Sequence, residues 1–159
     1  MTPEDKELLL KDLCARLPYG VKVKATYLSF SEDKLETQDI NLTYYNVGYL
    51  DNHWIEAKPY LRPMSSMTDE ELKEFGRLKH RDNEDWEIVE MWVVKHDFLN
   101  IKCRHKHHED STWVFQVSRT EPLRSWKGID WLNAHHFDYR GLIPMGLALE
   151  AKEGMYNIE

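Results

Sequence analysis

The sequence has few of the features that would assign it at once to a class of protein. Only two cysteines, Cys14 and Cys103, occur among its 159 residues, so we expect no disulfide framework and two free thiols in a reducing cytoplasm. No apolar run approaches the roughly 18 residues that a membrane-spanning helix needs, and the N-terminus is acidic where a signal peptide would be basic. We therefore expect a soluble, cytoplasmic protein without a membrane partner.

Catalytic and nucleotide-binding motifs are also missing. The chain has no GxSxG elbow, no P-loop and no GxGxxG, which leaves nucleophilic catalysis and nucleotide cofactors without support. Basic residues are outnumbered, since 21 Lys and Arg against 28 Asp and Glu give a net charge of −7. Because nucleic-acid binding usually requires a basic face, this composition disfavours such a partner. One short basic run, residues 102–108 with Trp113 and Phe115 nearby, keeps a nucleic-acid-binding accessory protein as a second alternative.

Aromatic residues, by contrast, are abundant. The chain has six tryptophans and eight tyrosines against only seven glycines, and 42% of its residues are hydrophobic. A chain of this length can bury roughly two-thirds of its surface on folding. The composition therefore predicts a folded domain with an aromatic-rich core and excludes a disordered chain.

The first part of the chain predicts a helix and a small sheet. Thr2 is placed to cap a helix that begins at Pro3 and ends at about Arg16, two residues before Pro18. Residues at helical spacing predict its buried face, namely Leu10, Leu13, Cys14 and Leu17. Alternating apolar residues then predict strands over 21–27, 40–49 and 54–60, which favour a small antiparallel, SH3-like barrel or sheet.

The rest of the chain predicts a mixture of helices and a hairpin. Thr68 and Glu71 form a capping box that begins a helix ending near His80. The remaining predictions are a strand over 86–94 (with a helix as the alternative), a hairpin over 98–119 with a loop at 105–111, and short C-terminal helices, one capped by Asp138. The fold class predicted is α+β, with a first domain over 1–80 and a second section over 81–159 packed on it as one unit.

Five aromatic residues of the predicted sheet are candidates for a binding surface. They could line a groove for a peptide, or they could fill the interior of a small barrel, which is the commoner role. These candidate binding residues are Tyr44, Tyr45, Tyr49, Trp54 and Tyr60.

Two histidine clusters are the candidates for metal chemistry. Zinc accepts histidine nitrogen, and the candidate ligands are His105, His107, His135 and His136. They would support a metal-dependent, nuclease-like hydrolase if the clusters met in space. The alternative is structural: a solvated hairpin tip for the first cluster, and a helix terminus followed by an Asp138 cap for the second. The structural interpretation accounts for more of the residues, so we expect no cofactor, with zinc as the alternative.

Three segments resemble a group of small uncharacterised proteins carried by phages and mobile elements of gut Bacteroidetes. They are 6–21 (KELLLKDLCARLPYGV), 58–68 (KPYLRPMSSMT) and 131–143 with 146–151 (WLNAHHFDYRGLI and GLALEA). The resemblance implies a bacterial host cytoplasm. No activity is established for that group, so the resemblance carries no catalytic residue to this chain.

Together these features predict a non-enzymatic module that binds a protein or a peptide through aromatic surface. The aromatic surplus, the acidic charge and the missing catalytic motifs support this hypothesis. The first alternative is the metal-dependent hydrolase, and the second is the nucleic-acid-binding protein.

Overall fold

The computed structural model describes residues 1–29, 34–48, 54–79, 85–95, 97–119 and 125–156, and it has an α+β fold. The helices are α1 (Pro3–Arg16), α2 (Tyr44–Val47), α3 (Asp69–Lys79) and α4 (Trp126–Ala134). The strands are β1 (Lys22–Leu28), β2 (Leu35–Asn41), β3 (Trp54–Leu61), β4 (Trp86–Val94), β5 (Phe98–His105), β6 (His108–Ser118) and β7 (Leu149–Glu150). None of the helices within these ranges has both the length and the apolar composition needed to cross a membrane.

The chain divides into two compact units. The first comprises Met1–Pro63 together with Leu132–Glu159, and the second comprises Met64–Trp131. The observed division differs from the expected boundary between residues 80 and 81. Helix α3 belongs with the strands that follow it, and the C-terminal segment belongs with the N-terminal helix.

Helix α1 begins and ends where the sequence predicts, but it buries a different face. Its start is stabilised by a capping box, in which the Thr2 hydroxyl accepts from the Asp5 N–H at 3.1 Å and the Asp5 carboxylate accepts from the Thr2 N–H at 2.9 Å. Leu10 and Cys14, predicted to be buried, are exposed. The buried residues of the helix are Leu9, Asp12, Leu13 and Arg16. A hydrophobicity pattern could not find this face because half of it is charged.

The first sheet has the strand order β2-β1-β3-β7. Strand β1 is antiparallel to β2 and β3, whereas β7 is parallel to β3. Residues from α1, β1 and β3 form its core, with Leu9 and Leu13 packed beside Val21, Val23, Leu42 and Ala57. The sheet is therefore a mixed one, and the more specific prediction of an SH3-like barrel is not confirmed.

The predicted strand over 40–49 is wrong from Leu42 to Gly48, and Tyr49 lies outside the described residues. The Thr43 hydroxyl accepts from the Asn46 N–H at 3.4 Å, and the Asn46 side chain accepts from the Thr43 N–H at 2.6 Å. This reciprocal cap begins the single turn of α2. Local side-chain capping therefore prevails over the alternation of apolar residues on which the strand prediction depended.

The second unit contains an antiparallel sheet of order β4-β5-β6 covered by α3. The strand over 86–94 and the hairpin are confirmed, but the loop predicted at 105–111 is wrong because β6 already begins at His108. The capping box of α3 is confirmed, since the Thr68 hydroxyl accepts from the Glu71 N–H at 3.2 Å and the Glu71 carboxylate accepts from the Thr68 N–H at 2.8 Å.

Gly76 allows α3 to lie close to this sheet. A Cβ added at this glycine would lie 3.0 Å from Ile101 Cδ1 and closer still to Leu99 Cδ2. Both of these strand residues are fully buried. The helix therefore packs on the sheet at a distance that only glycine permits without a shift of the core.

The helix that Asp138 was predicted to cap is replaced by turns. The Asp138 carboxylate accepts from the N–H groups of Leu142 and Ile143, each at 2.8 Å. One side chain thus binds the backbone four and five residues further along the chain. The two bonds hold residues 138–143 in a turn. Asp138 does accept from backbone N–H groups as predicted, but these groups belong to a turn and not to the start of a helix.

Candidate functional site

The predicted aromatic residues lie in different surroundings. Tyr44 and Tyr45, on α2, are 74% and 92% exposed, and Trp54 is half-buried at the start of β3. Tyr60 is a core residue, and its hydroxyl donates to Asp39 Oδ1 at 2.7 Å. Burial, together with this bond, raises the pKa of Tyr60. Tyr49 lies outside the described residues.

A groove lies between α1 and β3 in the first unit. It consists of two adjoining cavities of about 260 and 240 Å³, both lined by Met1, Leu9, Glu56 and Ala57. The first cavity continues along Leu10 and Leu13 of α1 and Trp54 and Ile55 of β3. The second continues to Lys58 and to residues 145–147. We call this feature the α1–β3 groove.

Four of the exposed large apolar side chains line the α1–β3 groove. Met1, Leu10, Ile55 and Met145 are between 38% and 62% exposed, and all four line it. A contiguous group of exposed large apolar residues is typical of an interaction site, whereas scattered ones are ordinary. Ile55 is the extra residue of a β-bulge in β3. Its neighbours Glu56 and Trp54 pair with the adjacent residues Thr26 and Tyr27 of β1. The bulge displaces the Ile55 side chain from the regular alternation between the two faces of the sheet.

Strand β3 pairs with different strands along its two sides, over different residues. Along one side, β1 pairs with it from Trp54 to Pro59. On the other side, β7 pairs with Tyr60 and Leu61. Over the part of the chain that the structure describes, no strand pairs with the remaining outer edge, and residues 54–58 of that strand line the α1–β3 groove. An unpaired strand edge offers backbone donors and acceptors to a further strand.

The charged residues around the α1–β3 groove are of both signs. Lys6 and Glu7 come from α1, and Glu56 forms an ion pair with Lys58 on β3 at 2.9 Å. Asp5 lies at the other end. This lining provides no strong field of either sign and therefore no basis for selecting a highly charged ligand.

Three histidines of the second unit, His105, His107 and His108, meet at the turn between β5 and β6. The His105 ring lies 4.9 Å from that of His108 and 6.0 Å from that of His107, measured between centroids. The His107 N–H donates to His105 Nδ1 at 3.2 Å, and the Trp86 ring packs edge-on against His105. Among the described residues, no group of three or more His, Cys, Asp or Glu side chains is placed to hold a metal ion.

His136 is an interior residue of the first unit. It is 4% exposed, and its ring stacks on that of Tyr156 with centroids 3.7 Å apart. Burial, reinforced by the charge of Arg16, lowers the pKa of His136 to about 4, so the imidazole is neutral at pH 7. Burial also raises the pKa of Tyr156 to about 12.

The backbone of His136 terminates α4. Its φ is +58°, its N–H donates to the Asn133 carbonyl, and the next N–H, of Phe137, donates to the Leu132 carbonyl. This pair of bonds is a Schellman motif, in which glycine usually occupies the left-handed position. His135 is half-buried beside it. The expected helix terminus at this histidine pair is thus present, and the four metal candidates are divided between the two units.

A buried ionic network connects α1 to the segment that follows α4, and the sequence did not predict it. Arg16 is fully buried and donates to Asp12 at 2.7 and 3.1 Å and to the Phe137 carbonyl at 2.8 Å. Arg140 Nε lies 3.1 Å from the same carboxylate. The spacing of Asp12 and Arg16 by four residues, on the face of Leu9 and Leu13, is the signal that could have revealed the pair.

Comparison with protein-family models, with curated proteins and with solved structures finds no match to the chain.

Proposed function

We propose that the protein is a non-enzymatic interaction module that binds a protein or peptide segment in the α1–β3 groove. The observation that carries the proposal is the group of four exposed apolar side chains, Met1, Leu10, Ile55 and Met145, that line one groove. Fully burying one Leu, Ile or Met side chain stabilises by roughly 1.5–3 kcal/mol. Covering the exposed parts of four such side chains therefore supplies a useful share of the free energy of a micromolar complex, about 8 kcal/mol.

The proposal keeps the predicted class of function and changes the predicted surface. Trp54 is the one described member of the aromatic set that lines the α1–β3 groove, while Tyr60 is buried and Tyr44 and Tyr45 lie on α2. The apolar surface is mainly aliphatic and comes from α1 and β3. A phage or mobile-element origin, in a bacterial cytoplasm, is part of the same proposal and depends on the sequence resemblance alone.

Two other functions are supported less well than the interaction module. A metal-dependent hydrolase would use the histidines, but none of the described residues forms a ligand set for a metal ion. A nucleic-acid-binding protein would need a basic surface, and the acidic net charge of −7 gives no support for one. For neither function does the described part of the chain provide a surface feature comparable to the α1–β3 groove.

The first prediction tests the α1–β3 groove with a displayed library of linear peptides selected on the wild-type protein. We expect enriched peptides whose affinity falls at least about tenfold with Leu10→Asp or Ile55→Asp, because each change places a charge in the apolar contact. Both side chains are exposed, so folding should be retained. Fluorescence polarisation with labelled peptides measures the affinity.

The matched control for these variants is Leu35→Asp. Leu35 is 65% exposed on β2 and is not a lining residue of the groove, so its variant should bind as the wild type does. If the library yields no binder, or if all three variants bind equally well, the proposed function is wrong.

A further inference from the structure

We infer that strand β6 pairs with β6 of a second copy of this chain, antiparallel and about a two-fold axis at Val114, so that two three-stranded sheets become one continuous sheet. The inference concerns the second unit and is independent of the α1–β3 groove. It depends on the composition of the outer strands, on the direction of the backbone groups of β6 and on the positions of its charged and aromatic side chains.

Strand β6 differs from the other outer strands in its protection against pairing. In the described part of the chain, the outer strands are β2 and β7 of the first sheet and β4 and β6 of the second. Strand β7 has only two residues, and β2 has exposed charges at Glu36 and Asp39. Strand β4 has Glu87 and Glu90 and is interrupted by a bulge between Ile88 and Glu90. Short length, charges and bulges are devices with which proteins prevent pairing at a sheet edge.

The central part of β6 has none of these devices. Residues 112–118 (TWVFQVS) contain no charge and no proline, and they pair with β5 without a shift in register. Thr112, Val114 and Gln116 are all exposed. A regular, uncharged edge strand that is rich in β-branched and aromatic residues is prone to pair with another strand. This segment therefore has the composition of a strand that is covered in the assembled protein.

The backbone groups on the open side of β6 belong to its exposed, even-numbered residues. Directly after the strand, the Arg119 N–H donates to the Asp97 carbonyl at 2.9 Å, so residue 119 faces the β5 side. In an antiparallel ladder, alternate residues direct both their N–H and their C=O groups to the same neighbour. The odd-numbered residues of β6 therefore bond to β5, whereas Thr112, Val114 and Gln116 direct their groups to the open side.

A two-fold axis at Val114 uses only these exposed residues. Val114 then faces Val114 of the second copy, and Thr112 faces Gln116, which gives about six backbone hydrogen bonds. Trp113 lies opposite Phe115 of the second copy in the non-hydrogen-bonded positions, where cross-strand side chains are closest. Trp113 is 65% exposed, and Phe115 is half-buried. The pairing therefore covers an exposed tryptophan in each copy.

The charges of β6 favour the antiparallel direction. The acidic residues of the strand, Glu109 and Asp110, both lie near its start. Antiparallel pairing about Val114 places the Asp110 residues of the two copies on the order of 25 Å apart, at about 3.4 Å per position. Parallel pairing in register would place them side by side at about 4.8 Å, where like charges oppose association. The sequence of β6 is therefore complementary to itself in the antiparallel direction.

The same arrangement limits the assembly to two copies. Both ends of the joined sheet are then β4, whose charges and bulge oppose a further pairing. A two-fold interface of this kind is closed, because both copies use the same surface. One strand from each copy is well below the roughly 20–30 residues a side of a standard interface, so we expect a dimer that dissociates in the micromolar range.

Sedimentation velocity of the full chain, from about 1 to 300 μM, measures the association. We expect the mass to rise with concentration from the 19.0 kDa of one copy towards twice that value. Val114→Lys should stay monomeric over this range, because the two lysines would lie directly opposite each other. The matched control is Val89→Lys, a change of an exposed valine on β4, the other outer strand of the same sheet, and it should associate as the wild type does. Circular dichroism verifies that both variants are folded.

A mixture of two variants tests the position of the two-fold axis. Val114→Glu alone should be monomeric, like Val114→Lys. Mixed in equal amounts, the two variants should form a dimer, because opposite charges then face each other across the axis. An axis at any other residue would not bring the two substituted positions together.

Amide exchange of the wild type provides a second readout that needs no variant. We expect the exchange of the Val114 N–H to slow at least about tenfold between dilute and concentrated solution. The N–H groups of Trp113 and Phe115, which face β5, should change less and serve as internal controls.

The outcomes separate this inference from the proposed function. A wild type that stays monomeric at the highest concentration, or a folded Val114→Lys variant that associates as Val89→Lys does, would overturn the pairing of β6. Loss of the dimer in both charged variants without recovery in their mixture would overturn the axis at Val114. The peptide-binding variants Leu10→Asp and Ile55→Asp should associate as the wild type does, because neither residue lies on β6.

Discussion

At the scale of single residues, buried polar groups account for most of what is unusual in this protein. His136 occupies a left-handed backbone position that costs a non-glycine residue about 1 kcal/mol or more, and its ring is enclosed with Tyr156. Asp12 and Arg16 are fully buried in the same unit. Each of these groups makes the stability of the first unit sensitive to a specific change.

We predict that stability falls on acidification because of His136. Its pKa is about 4 in the folded protein and 6.5 in the unfolded chain, so the unfolded chain binds the extra proton between these values. The stability is fully present above pH 6.5 and is lost as the pH falls towards 4. From pH 7.5 to pH 5 the loss from this group is about 2 kcal/mol, measurable by urea unfolding.

The variant His136→Asn tests the assignment. Asparagine tolerates the left-handed conformation and does not titrate, so we expect a smaller decrease in stability over the same pH interval. An unchanged decrease would show that other groups cause the acid sensitivity.

A further prediction concerns the Asp12 carboxylate, which lies between two guanidinium groups. Asp12→Asn removes the negative charge and leaves Arg16 buried without its counterion, so we expect destabilisation of about 3 kcal/mol or more. Glu7→Gln, an exposed change on the same helix, should alter stability by less than about 0.5 kcal/mol. Chemical denaturation measures the free energy of unfolding of both variants. Equal values would contradict a stabilising role for the Asp12–Arg16–Arg140 network.

At the scale of elements, the sequence predicted those whose signals are local. The α+β class, the bounds of α1, the capping box of α3 and the strand β4 are confirmed. Each depends on residues within a few positions of one another. The prediction failed at Thr43, where a local cap was overlooked, and at Asp138, where the correct capping residue stabilises a turn.

Gly76 gives a prediction at this scale. In an exposed helix Gly→Ala stabilises by about 1 kcal/mol, but here the added methyl group would collide with buried Leu99 and Ile101. We expect Gly76→Ala to destabilise the protein by roughly 1 kcal/mol net, since overpacking costs about 1–3 kcal/mol. Thermal unfolding should show a lower Tm than for Glu74→Ala, an exposed change on the same helix. A higher Tm would mean that Leu99 moves aside at little cost.

At the scale of the whole molecule, the sequence could not predict the α1–β3 groove. The groove depends on the pairing of Tyr60 with Leu149, which are 89 positions apart, and on which face of α1 is buried. The ionic network likewise joins Asp12 to Arg140. Pairings of this separation have no local signal, so the predicted surface was built from aromatic residues that are neighbours in sequence. Among the described residues of that predicted aromatic surface, only Trp54 lines the groove.

The discontinuous first unit has a consequence for biosynthesis. Residues 64–131 form a unit that is contiguous in sequence and is complete early in synthesis, whereas α1 and β1–β3 lack Phe137, Arg140 and β7 until the last part of the chain is made. At 5–20 residues per second, that delay is on the order of 5–20 s. During this interval Arg16 has its Asp12 partner but lacks the Phe137 carbonyl, and β3 has an even longer unpaired edge, so we expect the N-terminal segment to be the part of the newborn chain most open to wrong pairing.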